Sequence, residues 1–173
     1  MKNILVFLVA GLSIGCTPEQ RESISTTGYV PIYASVESLL THSVEQPKAI
    51  TRAGKIYAFG NYLFQNDIGN GIHIINNANR QNPQKVAFIH LPMSTEVAVK
   101  GNFLYSNNYR DIVVFDISNP ASPRLIKRLS NVFPPENQRY PPFNNCVFEC
   151  PDSSKGVVIA WEKQQQDNYK CRR

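Results

Sequence analysis

Residues 97–105 read VAVKGNFLY, and residues 56–64 read IYAFGNYLF. Gly60-Asn61-Tyr62-Leu63 falls on Gly101-Asn102-Phe103-Leu104, and Asn66 on Asn107, at an offset of 41. After a one-residue deletion the offset becomes 40: Ile72-His73-Ile74-Ile75-Asn76 falls on Ile112-Val113-Val114-Phe115-Asp116, Asn79 on Asn119 and Pro83 on Pro123. Apolar spacing, turns and prolines that all recur together mark one structural unit used twice.

Each unit holds four apolar runs of strand length: 55–59, 62–66, 72–75 and 85–91 in the first, 96–100, 103–107, 112–117 and 124–129 in the second. The Gly-Asn pairs suit a two-residue hairpin, which requires positive φ. In the turn Asp116-Ile117-Ser118-Asn119-Pro120-Ala121-Ser122-Pro123, short polar side chains accept backbone amides and the prolines fix φ without losing a ladder bond. Asp116 and Asn76 are therefore turn formers before they are acids or ligands. Four short strands in about 40 residues, joined by tight turns, describe a propeller blade. The fold class expected is all-β: two four-stranded β-propeller-type blades, at 55–95 and 96–133, followed by a proline-rich loop (134–145) and a C-terminal hairpin and tail (146–173).

Bulk properties agree. In 173 residues the apolar fraction is 42% and the charged fraction only 18%, which suits strands and turns better than a bundle of charged helices. The formal charge is +5, but the basic residues are scattered and do not interleave with aromatics, so nucleic acid is not an expected partner.

The repeats also resemble a known family. GNFLYSNNYRDIVVFDISNPASP is similar to the LVIVD repeat, and GKIYAFGNYLFQNDIGNGIHIINNANRQNP to a worn copy in which Asn76-Asn77-Ala78 replaces Asp-Ile-Ser. GYVPIYASVESLL, LPMSTEVAVKGN and CVFECPDSSKGVVIAWEK resemble the N-terminal part of LVIVD-type bacterial lipoproteins. The resemblance implies a secreted or surface-attached β-propeller, and relatives that run on through further blades. On that comparison this chain is a short or truncated member with an incomplete propeller. Closed propellers take about four to eight blades, so two blades leave open edges that invite self-association. On the N-terminal side, 28–54 is expected to cap the blades with a strand over 28–35 and a short helix from Ser35 to Leu40.

MKNILVFLVAGLSIGC opens with a basic residue and an unbroken apolar run, too short to span a bilayer, which needs ~20 residues. It reads as a secretory signal over 1–15. Gly15-Cys16 resembles a lipobox, with Ser13 where the pattern has Leu. The expectation is a lipid on Cys16, stable membrane attachment through its acyl chains, a flexible tether over 16–27, and a place at the outer membrane of a bacterial cell envelope.

Three cysteines remain. Cys150 with Cys171 is the preferred disulfide, because Cys150 ends a strand and Cys171 lies on a polar tail that otherwise frays. Cys146 and Cys150 stand ~13 Å apart in an extended strand, beyond disulfide reach. Cys-x3-Cys without a nearby histidine does not suit zinc, and neither a metal nor a cofactor is expected. His42, His73 and His90 are scattered, with no catalytic motif. Phe133, Arg139, Tyr140 and Phe143 form a candidate contact surface for a protein or glycan. The function expected is a membrane-anchored binding or scaffold module without enzymatic activity. The alternatives are a fragment of a propeller hydrolase or lyase, or a non-functional remnant of a longer relative.

Overall fold

The computed structural model describes residues 26–134 and 139–173. The signal sequence, Cys16 and the tether up to residue 25 lie outside the described residues. The elements run β1 Thr26–Ala34, α1 Val36–Leu39, β2 Ser43–Glu45, β3 Ala53–Phe59, β4 Tyr62–Asp67, β5 Gly71–Asn76, β6 Gln84–His90, β7 Val97–Lys100, β8 Phe103–Asn108, β9 Asp111–Asp116, β10 Arg124–Leu129, β11 Val147–Phe148, β12 Val157–Gln166 and β13 Cys171–Arg172. They form three sheets, ordered β2-β6-β5-β4-β3, β10-β9-β8-β7 and β12-β1-β11-β13. None is closed into a barrel, and the chain is nearly all β.

The first two sheets are the two repeat units, and their registers superpose. Phe59 pairs with Tyr62 and Ile56 with Gln65, as Lys100 pairs with Phe103 and Val97 with Ser106. Ile74 pairs with Ala87 after a bulge that skips Val86, as Val114 pairs with Lys127 after one that skips Ile126. The deletion falls in the central hairpin. Asp67 closes on Gly71 across three residues, whereas Asn108 closes on Asp111 across two. In the first hairpin of each unit the glycine supplies the positive φ, 58° at Gly60 and 56° at Gly101. The later turn closes as its chemistry requires: Asn76 and Asp116 accept the amides of Ala78 and Ser118, each at 2.9 Å.

The two sheets pack face to face. Phe64, Ile72, Ile74, Ala87 and Ile89 of the first meet Val97, Val99, Leu104, Val113 and Phe115 of the second in one buried cluster. Alternation sends these residues to one face of each sheet, so the first sheet presents one face and the second presents the opposite one.

The third sheet departs from expectation. Residues 146–150 and 156–162 do not form a hairpin with each other, because β1 lies between them, antiparallel to β12 over its whole length and parallel to β11 at Tyr29–Phe148. The strand expected to cap the blades is thus the centre of a separate sheet that joins the two ends of the chain. It takes in Thr26 and Thr27, the last residues of the expected tether. The blade edge is covered instead by β2, which adds a fifth strand beside β6. Ser35 does cap α1, its Oγ accepting the Ser38 amide at 3.1 Å. The helix is held against the second blade: Asn108 Nδ2 donates to Leu39 O at 2.7 Å and Arg128 Nη2 to Leu40 O at 2.9 Å.

Candidate functional site

The repeat lets one blade report what the other lacks. Phe64, Ile72, Ile74 and Ile89 on the first sheet are covered by the second, none more than 1% exposed. Their counterparts Tyr105, Ile112, Val114 and Leu129 lie on the other face of the second sheet, which no further blade among the described residues covers; Tyr105 and Leu129 are 36% and 42% exposed there, and Val114 7%. Phe103 joins them at 41%. Sheet pleating explains this: successive residues alternate faces, and both faces of these strands are apolar, as in a unit meant to be sandwiched.

A groove of about 490 Å³ runs along that open face, floored by Ala98, Tyr105 and Ile112 and walled by Glu96, Asn107 and Phe133. It is mainly apolar with few polar groups, the composition of a binding site rather than of a solvated surface. Asn107 is fully used: its Oδ1 accepts the amides of Thr95 and Glu96 at 2.8 and 3.0 Å, and its Nδ2 donates to Met93 O. It shapes the wall by holding the incoming segment. Glu96 lies at the groove's rim and bonds Lys55 of the first sheet.

On the opposite side of the stack lies a buried polar pair, Asp67 and His73. Asp67 Oδ2 stands 3.4 Å from His73 Nε2, with side chains 1% and 0% exposed. Burial alone would push the Asp67 carboxyl up, but the Thr51 and Arg52 amides, the Thr51 hydroxyl and the Asn70 amide together hold it well below the usual carboxylate range. Burial lowers His73, against the pull of Asp67. The imidazole lies against the Phe88 ring, centroids 4.6 Å apart, and its Nδ1 has no partner. A carboxylate that spends its lone pairs on a chain segment is a clamp.

Sequence reasoning treated His73 as a solitary strand residue and passed over Asp67. The signal lay in the hairpin: once Gln65 pairs with His73, Asp67 is its diagonal neighbour on the same face. Gly71 opposite Asp67 leaves that space free of a side chain.

Of the sequence-predicted residues, Phe133 lines the groove and donates its amide to Arg110 O. Tyr140 and Phe143 pack on the third sheet, Phe143 stacked on Tyr29 at 5.2 Å and Tyr140 edge-on to Phe148 at 6.1 Å, yet both remain over half exposed. Arg139 is exposed. Phe133 thus lies at the second sheet, whereas Tyr140 and Phe143 lie on the third. Cys150 and Cys171 are disulfide-bonded with Cα atoms 5.3 Å apart, and Cys146 is free. Cys16 lies outside the described residues. Among the described residues no group of three or more His, Cys, Asp or Glu gathers to hold a metal ion, and no helix is long and apolar enough to cross a membrane.

An LVIVD repeat is found at residues 93–130, spanning the second blade and the segment that leads into it. No curated protein and no solved structure matches the chain. The first unit carries the same strand order and register outside that match, and departs from the second at Asn76-Asn77-Ala78 and in the β4–β5 turn.

Proposed function

We propose that this chain is an exported bacterial lipoprotein, attached to the outer membrane through Cys16, whose stacked blades serve as a non-catalytic binding or scaffold module. The open face of the second blade is the binding surface, for a protein or glycan partner at the envelope. MKNILVFLVAGLSIGC supports the anchor, since the apolar run ends at the cysteine. The observation that carries the binding role is the mainly apolar groove beside Tyr105, on a face whose counterpart in the first blade is fully packed.

Two measurements test it. Metabolic labelling with an acyl probe marks the wild-type chain and not Cys16→Ser, which is released from membranes; an unlabelled wild type, or retained Cys16→Ser, refutes the anchor. Tyr105→Cys reacts with maleimide several-fold more slowly in intact envelopes than in dilute purified protein. Equal rates refute an occupied face.

A further inference from the structure

Beside the central turn of the first blade lies a second cleft, built from distant stretches of the chain. Its volume is about 410 Å³, within the ~300–1,000 Å³ range of small-ligand sites, and it sits where two packed units meet, as such sites often do. One side is the β4–β5 turn, Ile68-Gly69-Asn70, where the first unit carries the residue that the second lacks. That turn is tied to the loop before β7: Gly69 donates its amide to Ser94 O at 2.7 Å and accepts the Met93 amide at 3.0 Å, with Met93 held at φ 60°. A residue with a side chain keeps such a backbone only where its surroundings impose it. The other side belongs to the third sheet, with Ile159 and Trp161 of β12 and Pro142 beside them. The Trp161 ring is set edge-on to Phe148, centroids 5.4 Å apart. The cleft shares only Thr95 with the groove beside Tyr105, so it does not depend on that face being open.

The polar groups in the cleft are few and complementary to one kind of ligand. Arg52 is the one charged residue on its lining, and no acid joins it. Asp67 takes the Arg52 backbone amide, and among the described residues no hydrogen bond or ion pair occupies the guanidinium. Asn70 spends its Nδ2 on Thr51 Oγ1 and Asp67 Oδ1, at 2.8 and 3.3 Å, which leaves its Oδ1 to accept. The Thr95 hydroxyl donates to Asn107 Oδ1 at 3.4 Å and keeps its lone pairs. A cation without a counter-charge, two acceptors for hydroxyl protons and a flat apolar wall call for a carboxylate, hydroxyl groups and a ring with an apolar face in one molecule. A neutral sugar leaves Arg52 unmatched, and a plain aromatic acid leaves the acceptors unmatched.

We propose that this cleft binds an acidic sugar, a hexuronate unit of a saccharide, with its carboxylate on Arg52 and the C–H face of its ring against Trp161.

Trp161 is the single tryptophan of the chain, so intrinsic fluorescence reports this cleft. The full chain carrying Cys16→Ser is titrated with D-glucuronate and digalacturonate, each against its neutral counterpart, D-glucose and galactobiose, and with acetate as the bare carboxylate. Calorimetry on the same solutions reads binding independently of the fluorophore. The expected result is a saturable emission change with a Kd below ~1 mM for digalacturonate, with the neutral sugars at least about tenfold weaker and acetate without effect. Arg52→Gln should weaken uronate binding about tenfold and leave the urea midpoint unchanged, because the side chain is exposed and the amide bonded to Asp67 is retained. Arg52→Lys keeps the charge but loses the two-pronged contact, and should bind between the two. The proposal is overturned if neither uronate gives heat or an emission change up to ~10 mM, or if the neutral sugars or acetate bind as tightly as the uronates. Arg52→Gln that folds and binds uronate like wild type overturns it as well.

Discussion

The paired variants Phe64→Ala and Tyr105→Ala put the same position of the repeat in two environments. Phe64 is 1% exposed between the sheets, so truncation removes its transfer free energy and leaves a cavity that packed strands on both sides cannot close, costing about 3–5 kcal/mol. Tyr105 is 36% exposed beside a groove already open to solvent, so no new enclosed cavity forms. Only the transfer of the part that is covered is lost, about 1–2 kcal/mol at 25 cal/mol per Å². The measurement is urea unfolding at about 1 μM protein, dilute enough to dissociate an interface of Kd ~10 μM. With a slope near 2 kcal/mol/M, Phe64→Ala moves the midpoint down by roughly 1.5–2.5 M and Tyr105→Ala by less than ~1 M. Equal shifts would mean that the second face is as well covered as the first, and the uncovered-blade account would fall.

Further outcomes follow from the same structure. Acid should destabilise in two steps. Burial lowers His73 and His42, so the unfolded chain binds more protons below about pH 6.5 and stability falls there; Asp67, held low, adds a second loss below about pH 4. His73→Gln should shrink the first step and Asp67→Asn the second in urea midpoints measured from pH 8 to 3, and stability that rises between pH 7 and 5 would contradict this. Cys171→Ser should cost about 3 kcal/mol for a disulfide that closes 21 residues, with hydrogen exchange quickening in β1 and β11–β13 while β4, β5, β8 and β9 keep their protection; uniform loss would show that the sheets unfold as one. Gly71→Ala puts a Cβ 2.0 Å from Ile89 O at φ 151°, and should cost more than ~2 kcal/mol; a neutral effect by thermal melting would contradict the tight β5–β6 approach.

The two blades were legible because their information is local. Period-2 alternation, Gly-Asn turns and a proline-marked loop recur within about 40 residues, and a one-residue deletion at a hairpin tip changes nothing on either side of it. The third sheet was not legible for the opposite reason. Tyr29 meets Phe148, and no local pattern chooses between pairing β12 with its sequence neighbour β11 and pairing it with a strand from the other end of the chain. β2 was missed because three residues, Ser43-Val44-Glu45, carry no periodicity to read. The groove was partly visible through Phe133, but its floor of Ala98, Tyr105 and Ile112 reads as ordinary strand interior, because alternation along a strand does not tell which apolar face is covered.

The blades differ in how each ties a chain segment to the end of its sheet. Asp67, Gly71, His73 and Phe88 in the first unit correspond to Asn108, Asp111, Val113 and Arg128 in the second. In the first, a buried carboxylate accepts the Thr51 and Arg52 amides. In the second, Asn108 and Arg128 donate to the Leu39 and Leu40 carbonyls, while Asp111 holds Arg128 at 2.8 Å and accepts the Asn131 amide. Where the carboxylate of Asp67 accepts backbone amides, the amide of Asn108 at the same position donates to a backbone carbonyl, beside an Asp111–Arg128 pair that the first blade lacks. What persists is the task of tying a chain segment to the end of the sheet. In both blades polar side chains at the end of the sheet thus hold a chain segment in place, through a carboxylate in the first and through an amide and a guanidinium in the second.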